Sequence, residues 1–280
     1  MFTSEWDKYF YRSTRKSLNP VFINKLGIKD SQILSAAEYG ITEFRHKELT
    51  DFPSLVEQTF DAQHMKSIHA WLFQDLYKWA GKYRTVNMVK RSPDSGEKHL
   101  FALTENIDRY LKAASEVVHS TNWQELSKSL FVEKISLVFA LINQGHPFRE
   151  GNGRSSKIFL LHVSNLSPYK LDFNLVDPEQ WNLASAQSAP KIGDFNPNPK
   201  AMRSVFEIIS IERTEPVRTA AQTIEAKLGG QAKPQTRDDL KASLQSKLKS
   251  KMEARESKRS SYKSQDKLKK PTRNNTQHGR

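Results

Sequence analysis

Between Leu126 and Leu161 the chain passes from one strongly helical segment to another through a loop that holds most of its reactive side chains. Leu126, Leu130, Ile135, Val138, Phe139 and Ile142 recur at helical spacing and predict one amphipathic helix. It is expected to begin near Asn122, with Glu125 three residues on as in a capping box, and to stop at Gly145. The run His146-Pro147-Phe148-Arg149-Glu150-Gly151-Asn152-Gly153-Arg154 follows at once. A further helix should start around Asn152 and turn Ile158, Phe159, Leu160 and Leu161 inward. The chain is therefore held to a mainly α fold in which one short loop gathers a base, a carboxylate, an amide, two glycines and Arg154.

The chemistry of that loop follows from its residue types. Gly151-Asn152-Gly153 running into a helix exposes backbone N–H groups that have no intrahelical partner. With the helix dipole, that end becomes an anion site suited to phosphate oxygens, and Arg154 on the first turn can add a charge-assisted contact. Glu150 beside such phosphates would repel them unless a cation lies between. Mg²⁺ is the natural candidate, because it binds through one or two carboxylates plus phosphate oxygens. His146 titrates near neutrality and can accept a proton from an attacking hydroxyl. Phe148 belongs in the core, where it anchors the loop. These residues suit in-line attack by a hydroxyl on phosphorus.

Elsewhere the pattern is also helical. Met65, Ile68, Leu72, Leu76 and Trp79 predict a helix with Asp61 as N-cap and Gly81 as its stop. Asp177-Pro178 and Asn198-Pro199 read as two further helix starts with proline in the first position. One interruption is extended: Val86 and Met88 alternate, Ser92-Pro93-Asp94-Ser95-Gly96 supplies turn chemistry, and His99-Leu100-Phe101-Ala102 resumes an apolar run, giving a β-hairpin over 84–102.

The formal net charge is +13 over 280 residues, and residues 213–280 hold +11 of it, with 18 Lys and Arg against seven Asp and Glu. The last 65 residues have no Phe or Trp and a single Tyr262, so they cannot bury enough apolar surface to offset their ordering entropy. The expected organisation is a helical lead-in over 1–60, a core over 61–212 and a basic, largely disordered tail over 213–280. Such a tail suits nucleic acid or another anionic partner without specifying one. There is no cysteine, no stretch near the roughly 18 apolar residues of a membrane span, and no basic-then-apolar start at Met1–Asp7. The absence of cysteine suits a reducing cytoplasm.

The loop resembles the signature of the Fic (Fido) family, H-x-F-x-[D/E]-G-N-G-R-x-x-R, at every fixed position but the last, where Lys157 stands in place of arginine. Trp79-Ala80-Gly81 followed by Arg84-Thr85-Val86, and Leu175-Val176-Asp177-Pro178, are similar to the family as well, so that residues 10–212 are covered. The resemblance implies a helical Fic domain with a small hairpin flap. It implies transfer of AMP from ATP to a Ser, Thr or Tyr hydroxyl of a target protein. His146 would then be the general base and Glu150 the Mg²⁺ ligand. Asn152 would hold the α-phosphate, Gly151 and Gly153 would form the anion hole, and Arg154 would contact the β-phosphate. Lys157 would reach the γ-phosphate as a point charge without the planar fork of arginine. The flap residues Val86, Asn87, Met88, Val89, Lys90, His99, Leu100 and Phe101 would receive an extended segment of the target.

Relatives that act as kinases carry Lys at the position of Gly153, so Gly153 favours nucleotidyl transfer. Many relatives also carry an inhibitory [S/T]-x-x-x-E-[G/N] helix. Glu105-Asn106 and Glu150-Gly151 are the only pairs of that kind here, and Phe101 and His146 four residues earlier fit neither. A toxin or effector restrained by a separate small antitoxin subunit, or by none, is what this implies. The family resemblance also implies a bacterial protein, cytoplasmic or exported without a signal peptide. Two other functions remain open: the same loop acting on another phosphate donor, such as one carrying phosphocholine or UMP, and a non-catalytic protein that binds through its basic tail.

Overall fold

The computed structural model describes residues 5–91, 98–190 and 194–214. The turn expected at 92–96 and the tail beyond residue 214 lie outside the described residues. Seven α-helices occur among the described residues: α1 Ser31–Asp51, α2 Ala62–Phe73, α3 Ile107–Ser120, α4 Lys128–Gly145, α5 Asn152–Ser164, α6 Pro178–Gln187 and α7 Arg203–Ile209. Two small antiparallel pairs accompany them, β1 Val89–Arg91 with β2 Lys98–Leu100, and β3 Tyr169–Leu171 with β4 Ser210–Glu212. The fold is mainly α with a hairpin, as its periodicity indicates.

α4 is the central helix and packs against α3, α5 and α7. Phe131, Ile135, Val138 and Phe139 on it are almost fully buried, and Ala140 and Leu141 close the remaining sides. Each such aliphatic or aromatic side chain contributes about 1.5–3 kcal/mol when it leaves water, so α4 is fixed by burial on several faces. The expected start near Asn122 is corrected. Trp123 is buried and its indole N–H donates to the Val118 carbonyl at 2.8 Å, which ends α3 in a short 3-10 turn over Trp123–Glu125. The true N-cap is Ser127, whose hydroxyl accepts from the Leu130 N–H. Leu130 is half exposed and does not belong to the buried stripe.

Asp61 caps α2 as expected, its carboxylate accepting from the His64 N–H at 3.0 Å. The helix stops at Phe73, before Gly81, where i→i−3 turns take over: the Leu76 N–H donates to the Phe73 carbonyl and the Ala80 N–H to that of Tyr77. Leu76 and Tyr77 stay buried in the following turns, so apolar spacing outlasts the helix. Asp177 caps α6 through the Glu179 N–H at 2.7 Å. After Asn198 a 3-10 turn over Pro199–Met202 leads into α7.

The hairpin is shorter than the run 84–102: only Val89–Arg91 and Lys98–Leu100 pair, in the register Val89↔Leu100, Lys90↔His99, Arg91↔Lys98. Arg84 to Met88 is not a strand. The Arg84 N–H is tied to the Pro147 carbonyl and the Phe101 N–H to the Met88 carbonyl.

Candidate active site

α4 ends at Gly145, and His146 takes the left-handed conformation (φ 41, ψ 59) while its N–H still donates to the Ile142 carbonyl. A non-glycine residue at this φ needs its surroundings to hold it. Phe101 supplies one contact, its ring stacked on the imidazole at 3.7 Å between centroids and 13° between planes. The imidazole is half-buried. Phe101 is buried, so its ring covers the His146 imidazole instead of facing outward with Val89 and Leu100, which are both half exposed.

The loop beyond His146 is closed by three separate ties. Asn152 accepts from the Phe148 N–H and donates to the Phe148 carbonyl, both at 2.8 Å. His69 of α2, fully buried, accepts from the Gly81 N–H at 2.8 Å through Nδ1. Its proton therefore sits on Nε2, which donates to the Glu150 carbonyl at 3.0 Å. Its ring also stacks on Phe148 at 3.8 Å. Burial pushes the His69 pKa down to about 3, so it is neutral here. Arg149 points away from the loop opening into an aromatic box, 3.3 Å from the Trp6 ring centre and 4.6 Å from that of Phe22. Burial lowers this guanidinium to about 10, which leaves it charged at neutral pH.

Gly151 is the N-cap of α5 with φ 80, and a Cβ there would lie 2.2 Å from the Phe73 ring. Gly153 is different: it is exposed, and an added Cβ would meet nothing within 4 Å. The first N–H of the helix to find an intrahelical carbonyl is that of Ser155, on Gly151 at 3.0 Å. Asn152, Gly153 and Arg154 therefore present backbone donors beside an open surface. Glu150 Oε1 accepts from the Gly151 N–H at 2.9 Å, and its side chain is 44% exposed.

Arg154 is ion-paired to Glu38 of α1 at 2.6 Å, donates to the Thr42 hydroxyl at 3.0 Å, and lies 3.5 Å from Glu150. Lys157 lies one turn further along α5, its ammonium 4.9 Å from the Trp181 ring centre and 5.0 Å from that of Phe173. Burial lowers its pKa. The structure thus gathers His146 and residues 150–154 at one helix N-terminus, while Lys157 is turned toward α6. Val86 and Asn87 sit at the foot of the hairpin, the Asn87 side chain accepting from the Thr104 N–H at 2.9 Å. Lys90 and His99 pair across the hairpin, and their side chains lie outside the described residues. Glu38, His69 and Arg84 join the site without having been singled out for it. Arg84 had a signal in the Arg84-Thr85-Val86 run, whereas Glu38 and His69 lie in segments with no motif.

The Fic/DOC family model matches residues 59–163. The chain is 32% identical over 169 residues to the protein adenylyltransferase VbhT of Bartonella schoenbuchensis, covering 60% of this chain and 34% of that protein. It is 31% identical over 192 residues to the probable protein adenylyltransferase y4lH of Sinorhizobium fredii, covering 66% of this chain and 91% of that one. Among solved structures, the N-terminal Fic domain of a cell filamentation protein from Bartonella quintana with bound ADP superposes with a TM-score of 0.62 at 28% identity, over 74% of this chain and 95% of that one. The N-terminal Fic domain of a Bartonella effector described as a substrate of the VirB type IV secretion system gives 0.61 at 28% identity, over 72% and 90%. With the loop, fold and these likenesses together, the chain belongs to the Fic/DOC family. It spans about a third of the length of VbhT and of a second matched Bartonella adenylyltransferase.

Proposed function

We propose that the protein is an adenylyltransferase that moves AMP from ATP to a Ser, Thr or Tyr hydroxyl of another protein. The hydroxyl oxygen bonds to the α-phosphorus, the bond to the β-phosphate bridging oxygen breaks, pyrophosphate leaves, and the hydroxyl proton passes to His146. The observation that carries this reading is the juxtaposition, in one loop, of a left-handed, ring-stacked His146 with the open N-terminus of α5 at Gly153. Open backbone donors suit phosphate oxygens, and the base stands on the adjoining turn. The ADP-bound Fic domain and the adenylyltransferase names of the relatives support the same donor class.

Glu150 fits a Mg²⁺ ligand. No group of three or more His, Cys, Asp or Glu that could hold a metal gathers among the described residues; Glu150, half exposed beside the Gly151 N–H, would hold the cation together with the phosphates it accompanies. Bound there, the ion would neutralise charge developing on the phosphate oxygens. Val89 and Leu100, exposed on the hairpin, suit an extended target segment. No described helix is long and apolar enough to cross a membrane. We assign the protein to the bacterial toxins or effectors, with an antitoxin subunit or export machinery as partners and the basic tail as the contact for export or nucleic acid.

Purified protein incubated with ATP labelled on the α-phosphate and a cell lysate should leave label on a protein band, and label on the γ-phosphate should not transfer. His146→Ala should lower transfer about 10²–10⁴-fold while ATP affinity stays within about twofold, because the base acts on the hydroxyl. Transfer at the parental rate in that variant overturns the reading.

A further inference from the structure

Arg84 is 2% exposed and makes no ion pair with a carboxylate among the described residues. Its guanidinium is spent on four backbone carbonyls. Nε donates to His146 at 2.8 Å, Nη1 to Val86 at 2.8 Å, and Nη2 to both Ala102 and Gly145, the latter at 3.4 Å. Two of these carbonyls close the C-terminus of α4 and carry its negative end of the helix dipole; the other two sit on the two legs of the hairpin. A buried cation without a counter-ion is costly unless its donors are satisfied, and here four fixed dipoles satisfy it. Burial alone pulls its pKa down to about 10, so it stays protonated at neutral pH.

The backbone repeats the same cross-connection. The Arg84 N–H donates to the Pro147 carbonyl and the Ala102 N–H to that of Gln144, both at 2.9 Å. Gln144 Nε2 in turn donates to the Leu100 carbonyl at 3.0 Å. Between Leu100 and Ala102 lies Phe101, whose ring covers the His146 imidazole. Each of these ties between the hairpin region and the end of α4 has its α4 end within two residues of His146.

We propose that Arg84 is a positioning residue for the transfer reaction: it binds both legs of the hairpin to the carbonyl of the left-handed His146, so that seating the target-facing hairpin and seating the base are one structural event. The inference rests on the AMP-transfer reading above. Arg84 touches no reacting atom and acts through His146 and Phe101. Only a planar fork reaches four carbonyls in different directions; an ammonium offers three donors from one point.

Arg84→Lys is the test, read in the full chain by activity and by amide exchange. Misplacement of the base costs rate more than it costs nucleotide binding. kcat for AMP transfer to the target should fall about tenfold to a hundredfold, with the Kd for ATP within about twofold. Faster amide exchange should be confined to 84–88, 101–104 and 144–148. Parental kcat despite that local loosening overturns the proposal, and so does an equal loss of ATP affinity and kcat. If the variant does not fold, the unmutated protein decides: the amides of Arg84, Ala102 and His146 should open as one unit at a common rate, and unrelated rates would sink the idea. A protein that transfers no AMP at all would instead refute the reading of its function, and the exchange result would still stand.

Discussion

The carboxylate of Glu38 on α1 holds the guanidinium of Arg154 on α5 at 2.6 Å, and its second oxygen accepts the hydroxyl of Tyr77. The pair joins two helices more than a hundred residues apart in sequence and fixes the arginine beside the open end of α5. Both side chains are less than a third exposed, at 14% and 29%. The Tyr77 hydroxyl is pushed up in pKa by burial and by the neighbouring carboxylate, so it stays a donor.

Glu38→Ala should therefore destabilise the protein, because it leaves the Tyr77 hydroxyl without its acceptor and Arg154 with Thr42 and the more distant Glu150. A stranded buried donor costs about 1–3 kcal/mol, which in a domain near 200 residues lowers Tm by about 2–12 °C. A melting curve that does not move would show that the pair is replaced by solvent at no cost.

The two glycines of the loop should respond in opposite ways. Gly151→Ala meets the Phe73 ring at 2.2 Å and a backbone φ of 80 that disfavours a side chain, so loss of stability should be severe. Gly153→Ala meets nothing within 4 Å and places a better helix former in the first turn, so Tm should hold or rise, by up to about 1 kcal/mol of stability. ATP affinity should nevertheless drop, since a helical Cβ tilts toward the helix N-terminus, where the backbone donors lie. A Gly153→Ala protein that binds ATP as tightly as the parent would remove Gly153 from the nucleotide site.

Acid should weaken the fold through a buried histidine pair. His64 Nδ1 accepts from the Phe60 N–H at 3.3 Å, so its proton is on Nε2, which donates to His162 Nδ1 at 2.9 Å. Burial, then the facing His162, pushes His64 down to about 3 against the opposing pull of Asp61; burial pushes His162 down to about 4. Both folded values lie below the ordinary value of 6.5. The unfolded chain thus binds more protons once pH falls below about 6.5. Stability is full above that pH and is lost as pH falls toward 4, at a rate approaching 3 kcal/mol per pH unit for the two together. His162→Gln should roughly halve the contribution of this pair to the slope of unfolding free energy against pH between 6 and 5. An unchanged slope would mean that the pair is not the acid-sensitive element.

How far the sequence carried can be judged from the same residues. Asp61, Asp177 and Gly145 were legible because a cap and a helix stop are local events, written within four residues. Asn122 with Glu125 imitates a capping box, but Trp123 turns inward, its buried indole bonded to Val118 five residues back, and the chain makes a 3-10 turn there; the burial of that ring is invisible in spacing. β3 and β4 are three residues each and about forty apart, so neither carries a pattern of its own. The loop 146–154 was legible because its chemistry is contiguous. Glu38 and His69 were not, because each reaches the loop from a distant segment through one or a few hydrogen bonds, and a lone Glu or His is silent until the fold brings it in; Arg84 was marked by the Arg84-Thr85-Val86 run, but its grip on His146 was not.

Lys157 gives a test that separates nucleotide recognition from packing. Its ammonium lies over the rings of Trp181 and Phe173, at 4.9 and 5.0 Å, and burial lowers its pKa. A cation over two ring faces is stabilised there even without a phosphate. An arginine at this position keeps the ring contact by stacking its plane, and its fork extends further with fixed direction. Lys157→Arg should therefore leave Tm nearly unchanged and raise ATP affinity by up to about tenfold, which is about 1.4 kcal/mol. ADP affinity should hardly move, since ADP has no γ-phosphate. Calorimetric titration with both nucleotides reads the difference directly. Equal gains for ATP and ADP would show that the residue answers to a group common to both. No change for either, together with a lower Tm in Lys157→Met, would assign the ammonium to the aromatic pair of Phe173 and Trp181 and take it out of the nucleotide site.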